Sequence, residues 1–133
     1  MQLNRVLFSS ASDRWATPGH IFAALDAEFR FDFDPCPLDG TGDALLPLYC
    51  EWKGKRVFCN PPYGRQLGEW LKRGLEADLA VFLIPARTDT KWFHEIILPN
   101  ANEIRFLRGR LKFGDAIHRA PFPSMVVIFG SNH

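Results

Sequence analysis

Arg56-Val57-Phe58-Cys59-Asn60-Pro61-Pro62-Tyr63-Gly64 changes character in the middle. The apolar residues up to Cys59 read as a short strand over Lys55 to Cys59. The two prolines that follow stop it, because proline has no N–H to donate to a ladder. A strand ending in an amide, two rigid residues and an aromatic ring is suited to holding a planar amino group. The Asn60 side-chain oxygen and the Pro61 carbonyl can accept its two hydrogens, and Tyr63 can stack on the ring that carries it. The lone pair of such a nitrogen is delocalised into the ring. Two acceptors draw the nitrogen towards tetrahedral geometry and free that pair to attack an electrophilic methyl group. With a sulfonium donor the cofactor supplies the reactivity, so the chemistry requires neither a metal nor a strong base. The competing reading is a Pro-Pro turn that ends a strand, with Tyr63 as a lid on the core.

Outward from this stretch the chain alternates between strand and helix patterns. Thr17 caps and Pro18 opens a helix whose apolar face is Ile21, Phe22, Leu25 and Phe29. Phe29 to Asp34 alternates with period two and reads as a strand ended by Pro35, and residues 34–51 are loop-like. Past the tetrapeptide, Gln66 to Glu76 reads as a helix with Leu67, Trp70, Leu71 and Leu75 buried. Leu79 to Ile84 is a continuous apolar run, as in a strand covered on both faces. Thr88 or Asp89 caps a further helix carrying Trp92, Phe93, Ile96 and Ile97. Strands follow at Glu103–Leu107, Leu111–Phe113 and Ser124–Phe129. This is an α/β pattern, and ligands in such sheets bind beyond the carboxyl ends of the strands. Asp34, Asn60 and Arg87-Thr88-Asp89 each follow a predicted strand.

Composition bounds the rest. The 133 residues fit a single domain, with 1–14 as a loosely ordered lead-in, and 47% apolar content excludes a disordered chain. No apolar run approaches the roughly 20 residues of a membrane helix. Three cysteines without close spacing and four scattered histidines argue against a disulfide framework and a zinc site, and for a reducing, cytoplasmic setting. Net charge is +1, but residues 1–50 carry seven acids and three bases, and residues 51–133 eight acids and thirteen bases. A surface for a polyanion therefore belongs to the second part.

Other candidates keep two readings each. Asp34-Pro35-Cys36-Pro37 with Gly40-Thr41-Gly42 is a cofactor loop, its carboxylate on an ammonium or ribose hydroxyl, or a glycine-rich turn capped by Asp34. Thr17 is an ordinary cap or a carboxylate anchor at a helix start. Trp15 anchors the lead-in or walls the cofactor pocket. Arg87 and Lys91 contact phosphate, or Arg87 pairs with Asp89. Arg108, Arg110 and Lys112 meet a nucleic-acid backbone or line a solvated strand edge.

Taken in order, Trp15-x-Thr17-Pro18, Phe33-Asp34-Pro35-Cys36, Cys59-Asn60-Pro61-Pro62-Tyr63-Gly64 and Pro85-Ala86-Arg87-Thr88-Asp89-Thr90-x-Trp92-Phe93-His94 resemble the phage-type DNA N6-adenine methyltransferases of the Dam-like class. The resemblance implies S-adenosylmethionine as cofactor and a flipped-out DNA adenine as acceptor. It places catalysis at Asn60 to Tyr63 and cofactor binding at Trp15, Thr17, Pro18, Asp34, Pro35, Cys36, Gly40 and Asn60. It also implies a Rossmann-like class I sheet, mostly parallel, with an antiparallel C-terminal hairpin made by Glu103–Leu107 and Ser124–Phe129. Only residues 43–59 separate the glycine loop from Asn60. A strand–helix–strand unit needs roughly 30, so the sheet is expected to be reduced. No room is left for a separate target-recognition domain, and selectivity falls to short loops or to a second copy in a homodimer. Rival acceptors for the same tetrapeptide are RNA adenine and a protein glutamine amide. A non-enzymatic rival is an inactive methyltransferase fold that binds nucleic acid.

Overall fold

The computed structural model of this chain describes residues 16–35, 51–114 and 117–131. Its centre is a mixed four-stranded sheet in the order β1 (Arg56–Cys59), β2 (Leu79–Pro85), β4 (Ser124–Gly130), β3 (Glu103–Phe106). β1 and β2 are parallel, and β4 runs antiparallel to both β2 and β3. Hence β1, β2 and β3 point one way and β4 is reversed between β2 and β3. The expected antiparallel partnership of the last two strands is present.

The apolar run predicted as a doubly covered strand is β2, buried along its whole length. Cys59 pairs with Phe82, so Phe58 and Phe82 face opposite sides of the sheet. On the Phe58 side lies helix α1 (Gly19–Phe29), with the Phe22 ring edge-on to Phe58 at 5.1 Å. On the Phe82 side lies α2 (Leu67–Gly74), the crossover between the two parallel strands. It packs so closely that a Cβ on Gly74 would overlap the Phe82 ring. A π-helical turn, Phe93–Ile97, runs into α3 (Leu98–Asn100) and buries Phe93, Ile96 and Ile97. No helix among the described residues is long and apolar enough to cross a membrane.

Several local expectations are corrected. Phe29 does not begin a strand; it ends α1. Arg30 then turns left-handed at φ 55, and the Asp26 carboxylate accepts the Phe31 N–H at 3.0 Å. The Arg56 guanidinium donates to the Phe29 and Arg30 carbonyls, a cation on the negative end of the helix. Asp32 and Phe33 both donate to the Arg56 carbonyl of β1, and Phe33 forms a parallel bridge to Val57. Thr17 does not cap α1, because Pro18 is the residue at the cap and Thr17 is engaged elsewhere. Neither Thr88 nor Asp89 caps the next helix; the Thr90 hydroxyl oxygen accepts the Phe93 N–H at 3.2 Å. Leu75 lies past the end of α2 and is 43% exposed. Leu111–Phe113 forms no strand, since Leu111 instead accepts the Ala120 N–H across the β3–β4 connection.

Candidate active site

The parallel pairings place the polar clusters beyond a single edge of the sheet. Asn60 follows β1, Arg87 follows β2, and Asp34 follows the bridge residue Phe33. Because β4 is reversed, the β3–β4 connection, residues 107–123, arrives at the same edge. The chain therefore gathers an amide, a carboxylate and a set of cations where open α/β sheets bind ligands.

Asn60 is buried, at 6% exposure, and its amide is held at both ends. The amide nitrogen lies 2.9 Å from the Thr17 hydroxyl and the amide oxygen 2.6 Å from the Tyr63 hydroxyl. The Tyr63 hydroxyl also lies 2.9 Å from the Leu83 carbonyl. The β1–β2 ladder ends at Cys59 and Phe82, so Tyr63 satisfies the β2 carbonyl just past the last pair. Burial, and secondarily the neighbouring Cys59 thiol, push the Tyr63 hydroxyl well above the usual tyrosine range, so it stays protonated. Pro61 is buried beside it and Pro62 half-buried.

Tyr63 is 7% exposed and its ring is packed by protein. Phe122 meets it edge-on at 5.7 Å and Phe113 at 6.3 Å. The Arg87 guanidinium lies over Phe122, 5.7 Å from its centroid, rather than in an ion pair with Asp89. A chain of contacts thus runs from Arg87 through Phe122 and Tyr63 to Asn60.

Lys91, Arg108, Arg110 and Lys112 are exposed, as is Arg87. None of the five has an acidic partner within salt-bridge distance among the described residues. Arg119 joins them and donates to the Arg110 carbonyl at 2.8 Å, which closes the connection on itself. Asp34 is exposed and Pro35 and Pro18 are buried. Trp15, Cys36 and Gly40 lie outside the described residues. Sequence reasoning missed Arg65 and Gln66, which with Pro62 and Gly64 line an open cavity of about 260 Å³ beside the tetrapeptide. Their position directly after Gly64 was the available signal. It also missed the Thr17–Asn60 contact, which no local pattern announces across 43 residues.

The family model described as DNA N-6-adenine-methyltransferase (Dam) matches residues 6–129. The DNA N-6-adenine-methyltransferase of Haemophilus phage HP1 (strain HP1c1) is 29% identical over 139 residues, covering 90% of this chain and 80% of the phage protein. No solved structure matches the chain.

Proposed function

The chain belongs to the DNA N-6-adenine-methyltransferase (Dam) family, and from that premise we propose that it moves a methyl group from S-adenosylmethionine to the N6 amino group of adenine in DNA. The observation that carries this reading is the buried Asn60 amide, fixed at a strand end and followed by Pro61 and Pro62. When bound, S-adenosylmethionine supplies an electrophilic methyl on a sulfonium. The donor set at the edge suits that molecule: the exposed Asp34 carboxylate would hold an ammonium or a ribose hydroxyl. Trp15, Pro18, Pro35, Cys36 and Gly40 are assigned to the same side from the family likeness.

Asn60 and the Pro61 carbonyl would each accept one hydrogen of the adenine amino group. That pair of contacts draws the nitrogen lone pair out of conjugation. The proline backbone holds the second acceptor at little entropic cost. In a duplex the amino group lies inside the stack, so the base is flipped out to reach Asn60. The open cavity at Arg65 and Gln66 adjoins that route. Arg87, Lys91, Arg108, Arg110 and Lys112 would neutralise phosphates around it. The parallel β1–α2–β2 unit and the reversed β4 support a reduced Rossmann-like class I sheet in a single domain.

The test is transfer of label from methyl-labelled S-adenosylmethionine to unmethylated DNA, with RNA and protein acceptors run in parallel. DNA is expected to take the label at adenine N6, and Asn60→Ala to lower the rate by at least about 100-fold, the scale of losing one preorganised hydrogen-bonding group. Label in RNA or protein alone would move the substrate assignment. No label in any acceptor, with no cofactor binding by calorimetry, would overturn the reading.

A further inference from the structure

We propose that Ile117 is the wedge that enters the base stack where the target adenine leaves it. This rests on the methyl-transfer reading above, in which the base is flipped out to reach Asn60. A flipped base leaves a gap of about 3.4 Å along the helix axis, with unstacked neighbours on either side. Water fills such a gap poorly, because it meets only aromatic faces. Aliphatic side chains, isoleucine among them, fill it where proteins part base steps.

Ile117 is 81% exposed. One exposed apolar side chain is ordinary on a protein surface; the setting of this one singles it out. It lies in the β3–β4 connection, whose other large apolar side chains, Leu107, Leu111, Phe113 and Phe122, are all in the core or packed against it. The connection also carries Arg108, Arg110, Lys112 and Arg119, all exposed, against a single acid, Asp115. Cations of this kind suit the phosphates on either side of an opened step. Leu75, Leu98 and Phe106, the other exposed large hydrophobics among the described residues, lie past the end of α2, in α3 and in β3.

Both limbs of the connection are fastened beside the tetrapeptide. Phe113 packs on the Tyr63 ring at 6.3 Å and Phe122 at 5.7 Å, and the Tyr63 hydroxyl lies 2.6 Å from the Asn60 amide oxygen. The limbs are also tied to each other: the Ala120 N–H donates to the Leu111 carbonyl at 2.7 Å and Arg119 to the Arg110 carbonyl at 2.8 Å. Ile117 follows Phe113 by four residues, so their Cα atoms are within about 14 Å of each other. A flipped nucleotide pivots about its own backbone, so the gap it leaves stays beside the pocket that receives it. The connection therefore carries an exposed aliphatic side chain to the place where that gap opens.

Methyl transfer is measured on an unmethylated DNA duplex and on its separated strands, for the wild type, Ile117→Ala, Ile117→Met and Leu98→Ala. Only the duplex has a full stack to part. Ile117→Ala is expected to lower kcat on the duplex about tenfold and on the single strands less than about twofold, with KM within about twofold because the phosphate contacts remain. Ile117→Met keeps a side chain able to part base steps and is expected within about twofold of wild type. Leu98→Ala removes an exposed leucine from the segment that leads into the start of β3, at the opposite edge of the sheet, and is expected to change neither rate. Melting curves of the Ile117 variants should match the wild type, since the position is exposed. An Ile117→Ala enzyme with wild-type activity on the duplex, or with equal losses on both substrates, overturns the wedge. So does a wild type that methylates single strands alone. A wild type that methylates neither substrate refutes the methyl-transfer reading and this role with it.

Discussion

Two aromatic clusters lean on the central strand, and they have different jobs. Trp52, Trp70, Phe82 and Phe129 pack together on the α2 side, with Trp52 and Phe82 stacked at 6.2 Å. Tyr63, Phe113 and Phe122 pack just beyond the end of β2, with their centroids 5.7 to 6.3 Å apart. The first cluster is ring packed against ring; the indole N–H of Trp70 has no hydrogen-bond partner among the described residues. The second uses comparable rings to carry a hydroxyl to Asn60 and to seat the Arg87 guanidinium. Aromatic burial is common to both. Position relative to the strand end separates them: one fastens α2 to the sheet, and the other lies against the proposed site.

The sharpest way to break this contrast is to cut one ring from each cluster. Phe82→Ala removes a ring with no exposed surface and is expected to cost about 3–5 kcal/mol in denaturant unfolding, while turnover per folded molecule stays unchanged. Loss of specific activity in the folded fraction would merge the two clusters into a single functional unit. Phe122→Leu keeps most of the volume, so its stability cost is about 1 kcal/mol. It loses the edge contact to Tyr63 and the seat for Arg87, so kcat should fall several-fold, up to about tenfold, with the melting temperature lowered by only about 3–6 °C. A Phe122→Leu enzyme as active as wild type would reduce the second cluster to ordinary core.

The connection that supplies Phe113 and Phe122 also carries Arg108, Arg110 and Lys112, exposed and without an acidic partner among the described residues. Arg108→Ala and Arg110→Ala are each expected to reduce the slope of log affinity for DNA against log salt by about one, with little change in kcat. An unchanged slope would place these residues on plain solvated surface.

The smallest effect belongs to the side of the sheet away from both clusters. Arg105 bridges Glu28 of α1 and Glu103 of its own strand at 2.6 and 2.7 Å and covers the Phe29 ring. Its hydrogen bonds hold both carboxyls below their usual value of 4.5. Depressed carboxyl pKa values add stability above the unfolded value, and that stability is lost as the pH falls through the folded ones. These groups are largely exposed, so the gain is under about 1 kcal/mol. Arg105→Ala should therefore flatten the decline of melting temperature below about pH 4.5, the usual carboxyl value, and leave methyl transfer unaffected. An unaltered acid limb would show that the bridge contributes nothing.

Most of the architecture was legible from local pattern. The apolar run from Leu79 onward read as a strand covered on both faces, and β2 is one. Prolines after Asn60 had to end one, and the spacing of Leu67, Trp70 and Leu71 matched one helical face. The misreadings share a cause. Phe29 to Asp34 alternates like a strand, but Arg30 in a left-handed turn and the Arg56 guanidinium on the helix end make Phe29 the last residue of α1. Thr17 looks like a cap, yet its hydroxyl is taken by a residue far along the chain. Period and propensity are short-range quantities, and neither reports a competing partner from another element.

The same division separates what each level decided about this protein. The order of residues alone set the tetrapeptide, the alternation of strands and helices, and the basic second part, because these follow from backbone chemistry within a few neighbours. Only the tertiary structure decided that Tyr63 turns its ring inward and its hydroxyl to Asn60, and that Thr17 meets the other end of the same amide. It also decided that the reversed β4 brings the basic connection to the edge where β1 ends. Those facts depend on which groups become neighbours once the sheet is assembled. A buried polar group takes whichever partner the assembled fold brings to it.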